Sequence, residues 1–162
     1  MSEPLLRTDE ELLQSYGQFA KMIYRLCFTY LKNTADTEDM VQSVFVKRMT
    51  CGKKFDNREH EKAWLIVTAS NLCKNHLRHW WRKREELSEN LQGAPVEFET
   101  NEVLDSILAL PEKYRVVIYL YYYEGYQCTE ISHMLHKPSS TVRNHLSEAR
   151  KLLRELLGGE LE

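Results

Sequence analysis

The 162-residue chain lacks most of the features that would place it in a class at a glance. No apolar run approaches the ~18 residues that cross a bilayer, so no membrane insertion is expected. The stretch 1–11 is acidic and has no apolar signal core, which points to the cytoplasm and away from secretion. With only 6 glycines and 4 prolines, collagen-like and low-complexity readings fail. The four cysteines, Cys27, Cys51, Cys73 and Cys128, are scattered and form no CxxC pair, as suits free thiols in a reducing compartment. There is no GxSxG, P-loop or HExxH motif and no supportable catalytic Cys/His set, so the chain is not expected to be an enzyme. An excess of either charge is also missing: 22 Lys+Arg stand against 24 Asp+Glu, a net charge of −2. That excludes a uniformly basic nucleic-acid coat but not local basic patches.

What remains is a helix-period sequence in which no segment alternates persuasively with period two, so the expected fold class is all-α. Apolar residues from Leu12 to Leu31 recur at three and four, predicting a first helix over about 9–32. A second is predicted over about 36–50, with Asp36, Glu38 and Asp39 crowding its positive N-terminal end. A third spans about 60–83. Further helices are expected over 101–109, 111–123, 128–135 and 139–157, with Pro111 suiting a first turn and Gly125 a helix stop.

The near-zero net charge hides segregation. Residues 71–84 carry five cations and no acid, 85–102 carry six acids and no cation, and 137–154 carry five cations against Glu148. Pro95 and Gly93 fall in the acidic stretch, whose apolar residues have no clear period. The organisation expected is therefore two small helical domains, 1–84 and 102–162, joined by a flexible acidic linker over 85–101. A solvated acidic loop within a single domain is the alternative.

On a wheel of about 100° per residue, Asn71, Lys74, Asn75, Arg78 and Arg82 of the third helix share one face with Trp64. Leu65, Ile66, Ala69, Leu72, Cys73, Leu77 and Trp80 share the other. Cations serve phosphate, amides can read base edges and an aromatic can stack on an unpaired base, so this face has nucleic-acid chemistry. A plain solvated basic face is the alternative, but ordinary surface helices mix signs.

Residues 128–157 read as a helix-turn-helix, with a turn at His136-Lys137-Pro138 and Ser139 as the expected N-cap of the last helix. Val142, Leu146, Ala149, Leu153 and Leu156 share its apolar side. Ser140, Arg143, Asn144, Ser147, Arg150, Lys151 and Arg154 share the other, as a major-groove reader requires. An antiparallel helix pair with a basic outer face is the alternative. Cys73, His76 and His79 invite a zinc reading, but Cys73 and His79 lie about 120° apart on the wheel with no fourth ligand in view, so no metal and no cofactor is expected. His76, amid the apolar arc, is expected to be a partly buried core histidine. The tyrosines between Tyr114 and Tyr126 read mostly as packing, with an exposed subset available to a protein partner.

The pattern as a whole resembles the extracytoplasmic-function (ECF) group of bacterial RNA polymerase sigma factors. The residues that carry the resemblance are Asp36-Thr37-Glu38-Asp39-Met40-Val41-Gln42-Ser43-Val44-Phe45, Ala63-Trp64-Leu65, Ala69-Ser70-Asn71 and Asn75-His76-Leu77-Arg78. In the second half they are Leu110-Pro111-Glu112-Lys113-Tyr114-Arg115, Tyr122-Tyr123-Glu124-Gly125-Tyr126, Glu130-Ile131 and Thr141-Val142-Arg143. The resemblance implies a dissociable specificity subunit that directs core RNA polymerase to promoter DNA and assists melting. Asp36, Glu38, Asp39, Met40, Gln42, Ser43 and Phe45 would bind polymerase. Trp64, Asn71, Lys74, Asn75, Arg78 and Arg82 would hold the −10 element, with the loop 53–58 as a pocket wall for a flipped base. Lys137, Ser139, Ser140, Thr141, Arg143, Asn144, Ser147, Arg150 and Lys151 would meet the −35 element. An anti-sigma factor is the expected further partner. Two departures stand out: Ser43 replaces the family's usual Glu, and His136-Lys137 replaces its usual Gly-aliphatic turn. A stand-alone helix-turn-helix regulator is the runner-up reading, and a metal enzyme on Cys73, His76 and His79 the third.

Overall fold

The computed structural model describes the backbone of residues 2–87 and 102–158, and the side chains of residues 10–79 and 102–158. Among the described residues there are seven helices and no strand, so the all-α class holds. The chain divides into two compact units, Met1–Pro95 and Val96–Glu162. Most of the acidic stretch, 88–101, lies outside the described residues, as does residue 159 onward.

The first unit packs three helices pairwise: α1 (Ser2–Leu31), α2 (Thr34–Thr50) and α3 (Arg58–Leu87). Its core holds Ile23, Leu26, Cys27, Val44, Leu65, Ile66, Ala69 and Cys73, all fully buried. These residues come from the periodic apolar stripes of the three helices, whose burial at ~25 cal/mol per Å² is the main drive for the bundle. The first helix begins well before residue 9, because Pro4 stands in the first turn, where a missing N–H costs nothing. Asn33 caps α2 by accepting from the Asp36 N–H at 2.8 Å. Asn57 accepts from the His60 N–H at 2.8 Å in the same way, so α3 starts at Arg58 rather than near 60.

In the second unit α4 (Glu102–Leu108), α5 (Glu112–Tyr122), α6 (Cys128–Leu135) and α7 (Ser139–Leu156) surround Ile107, Val117, Ile118, Tyr119, Leu120, Ile131, Val142 and Leu153. Arg115 is buried with them and donates from Nη1 to the Leu110 carbonyl at 3.0 Å, closing the turn before α5. Burial pulls its pKa down, and nearby Glu112 opposes that. The α6–α7 turn is tight. His136 adopts the left-handed conformation (φ 55°, ψ 46°) that glycine ordinarily supplies. The Lys137 N–H donates to the Ser132 carbonyl at 3.1 Å, and the Ser132 hydroxyl donates to the Lys137 carbonyl. The expected Ser139 cap is corrected: Pro138 occupies the N-cap position without a side-chain bond, and Ser139 is the first helical residue. The reason is the fixed extended-type backbone of Pro138 (φ −59°, ψ 145°), which sets the chain direction one residue earlier.

Candidate nucleic-acid interface

On α3 the residues one helical turn apart behave as the wheel requires. Asn71, Asn75, Arg78 and His79 are exposed and Lys74 is half-buried, while Leu65, Ile66, Ala69, Ser70 and Cys73 are buried. Arg78 Nη2 donates to Asn75 Oδ1 at 2.8 Å, so cation and amide are presented as one unit. The Arg82 side chain lies outside the described residues. Cys73 is fully buried and His79 exposed, so the two do not converge on a metal.

Trp64, on the same face, is half-buried and packs on Phe55 at 5.7 Å between ring centroids. Phe55 is the hub of the loop before α3. The His60 ring meets it edge-on at 5.3 Å, and the Arg48 guanidinium lies over it at 4.8 Å. Arg48 Nε in turn donates to Glu61 Oε2 at 2.8 Å, joining the end of α2 to the start of α3. These contacts hold Phe55 in place within the loop. Between it and α1 opens a groove of about 860 Å³. Lys53, Lys54, Arg58 and Arg48 line one side, and Glu11, Gln14, Ser15 and Gln18 the other. With its amide oriented to suit both partners, Gln18 accepts from Arg58 Nε at 3.1 Å and Nη1 at 3.2 Å. The Ser15 hydroxyl is buried without a hydrogen-bond partner. The α1 side of this groove is what sequence reasoning missed. The signal was there: Gln14, Ser15 and Gln18 are polar breaks in the first helix's stripe, spaced to share a face.

The candidate polymerase-facing residues of α2 separate into two groups. Glu38, Asp39 and Gln42 are exposed, and Met40 and Ser43 half-exposed. Phe45 is corrected: it is only 5% exposed and meets Tyr16 edge-on at 5.0 Å, so it supports α2 from within. Its position follows Val41 and Val44 at helical spacing, on the stripe that faces the core. Asp36 is also turned inward. Its Oδ2 accepts from Asn33 Nδ2 at 2.9 Å and lies 3.3 Å from His76 Nε2. His76 is half-buried, as its place on the apolar arc implied.

On α7, Ser140, Arg143, Asn144, Ser147 and Lys151 are exposed, opposite buried Val142, Leu146, Ala149 and Leu153. Lys137, Ser139 and Thr141 at its start are half-buried. Lys151 lies 3.8 Å from Glu148 along the helix, a solvent-screened pair. Arg150 differs from its neighbours. Its guanidinium lies over the Tyr121 ring at 5.1 Å and its Nε donates to the Tyr122 hydroxyl at 3.3 Å, which holds its pKa up. It braces α7 against α5.

Comparison with known proteins gives matches along both units. The family model for sigma-70 region 2 matches residues 16–83, and that for sigma-70 region 4 matches residues 100–153. The ECF RNA polymerase sigma factor SigW of Bacillus subtilis (strain 168) is 29% identical over 157 residues, covering 83% of this chain and 82% of its own. SigV of the same organism is 27% identical over 135 residues, covering 81% of each. Among solved structures, the sigma factor RpoE of Bartonella quintana, in complex with the anti-sigma factor NepR, has the same fold. Its TM-score is 0.74 at 18% identity, over 93% of this chain and 99% of that one.

Proposed function

We propose a division of labour that starts from one premise: the chain belongs to the sigma-70 family, in its ECF group, and is a promoter-recognising factor for transcription initiation. The proposed domains are 1–84 for core polymerase and the −10 element, 85–101 as linker, and 102–162 for the −35 element. Glu38, Asp39 and Gln42, with Met40 and Ser43 beside them, dock on core RNA polymerase. Asp36 and Phe45 hold α2 in shape for that contact.

Asn71, Lys74, Asn75, Arg78 and Arg82, with Trp64, engage the −10 element. The loop 53–58 walls the groove that receives a base taken out of the stack. Extrusion costs a few kcal/mol, which a preformed pocket and cation contacts offset. Arg143 and Asn144 read bases at −35, since Arg pairs with guanine and Asn with adenine. Ser140, Ser147, Lys151, Lys137, Ser139 and Thr141 position α7 on the backbone, and Arg150 braces it. The factor itself is noncatalytic, takes no cofactor and acts in the cytoplasm. An anti-sigma protein is its second partner, as for the Bartonella RpoE.

The observation that carries this reading is the pairing of exposed cations with exposed amides on α3 and again on α7, each opposite a buried apolar stripe. Run-off transcription on genomic fragments is the test. Core enzyme with this chain should initiate at promoters that core enzyme alone does not use. No new start site would refute the proposal, and tight sequence-specific DNA binding without core would favour a stand-alone regulator.

A further inference from the structure

The packing of α3 on its unit changes character along its length. Leu65, Ile66, Ala69 and Cys73 are fully buried, and Cys73 is the last such residue among those whose side chains are described. Beyond it, Asn75 and Arg78 project outward, joined at 2.8 Å. A helix held only up to Cys73 would leave that pair on a stretch free to shift. His76 lies between them in sequence and faces the unit instead of solvent. Its Nε2 is buried, has no hydrogen-bond partner, and comes within 3.3 Å of Asp36 Oδ2. The same carboxylate is fixed from its other side by Asn33, whose amide donates to it and whose oxygen caps α2. The imidazole and carboxylate side chains are 27% and 30% exposed, so both are partly withdrawn from solvent.

We propose that Asp36 and His76 form an internal latch that fixes the Asn75–Arg78 part of α3 to the start of α2, making His76 a positioning residue for −10 engagement. The proposal rests on the assignment of α3 to the −10 element. It explains why an acid inside the stretch expected to meet polymerase is turned inward: the carboxylate joins the docking helix to the reading helix. Docking on polymerase through Glu38, Asp39 and Gln42 then places the reading face through a short rigid path, Asp36 to His76 to Asn75 and Arg78.

The test uses the full chain with core enzyme and measures three quantities: competition for core, the rate of −10 opening by permanganate footprinting, and the unfolding temperature. His76→Ala and Asp36→Ala should each slow opening roughly tenfold, the size of one side-chain coupling, and the double variant should be no slower than either single one. His76→Gln, which keeps a terminal N–H donor, should recover most of the rate. Affinity of His76→Ala for core should stay within about twofold of the parent, since His76 is not among the residues assigned to docking. Multiplicative losses in the double variant, no rescue by Gln, or a slowing of His76→Ala that follows lost core affinity or lost folding would overturn the latch. Arg78→Ala separates the two assignments. If it slows opening and His76→Ala does not, the latch alone is wrong. If neither does, the −10 role of α3 has failed and the latch fails with it.

Discussion

His145 occupies the packed side of α7, with its ring edge-on to Tyr114 at 5.5 Å and its Nδ1 buried without a hydrogen-bond partner. Protonation would make both ring nitrogens donors and leave Nδ1–H without an acceptor. Burial therefore lowers the pKa below the ordinary 6.5, and the charges of Lys137 and Lys113 lower it further. A histidine depressed in the folded state binds its proton first in the unfolded chain. Its effect on stability is nil well above the unfolded value. As pH falls below that value the unfolded state gains, and the loss stops growing once pH passes the lower folded pKa. The second unit should therefore lose unfolding temperature as pH falls below the ordinary histidine value of about 6.5. His145→Gln should flatten that part of the profile while leaving other titrations in place. Equal slopes for parent and variant would show that His145 does not set it.

At the scale of the element, α7 is where sequence and structure can be compared most closely. Its apolar stripe was legible because Val142, Leu146, Ala149 and Leu153 recur at helical spacing and are buried, but Leu156, expected to continue it, is 53% exposed in the last turn. Its start was not, since Ser and Pro both suit a helix entry and only the backbone decides between them. The role of Arg150 was hidden for a different reason. A wheel places it with Arg143 and Asn144, but Tyr121 and Tyr122 come from α5, and periodicity within one helix carries nothing about a neighbour's side chains. The inward turn of Asp36 was illegible in the same way, because its partner His76 lies on another helix. The apolar position of Phe45 was legible from its spacing after Val41 and Val44, whereas its place among the polymerase contacts came only from the motif's resemblance. These distinctions predict how variants should divide. Arg143→Ala and Asn144→Ala should change base preference within the −35 element, each by about 1–3 kcal/mol of discrimination. Arg150→Ala should weaken use of all −35 sequences alike and lower the unfolding temperature. Selection of initiating promoters from a randomised −35 pool distinguishes a changed preference from a uniform loss.

For the molecule as a whole, the charge pattern and the two units lead to one expectation about binding. A chain of net charge −2 offers DNA little long-range attraction, and acids elsewhere offset the cations of the two basic stretches. Bound alone, either unit would hold promoter DNA weakly. Bound to core polymerase, the two would meet one promoter together, and the second contact would form at the effective concentration set by the first. Contacts far apart in one complex add in free energy, whereas contacts used in alternative complexes do not. Arg78 on α3 and Arg143 on α7 allow that distinction, because each is exposed and each belongs to a different unit. With core enzyme present, Arg78→Ala and Arg143→Ala should each reduce open-complex formation about tenfold, the loss of one charge-assisted contact. The double variant should then fall about a hundredfold. A silent variant at either position would mean that the corresponding unit does not reach the promoter. A double variant no worse than one single would mean that the two units never hold the same DNA at once, and a tethered pair of readers would be the wrong picture.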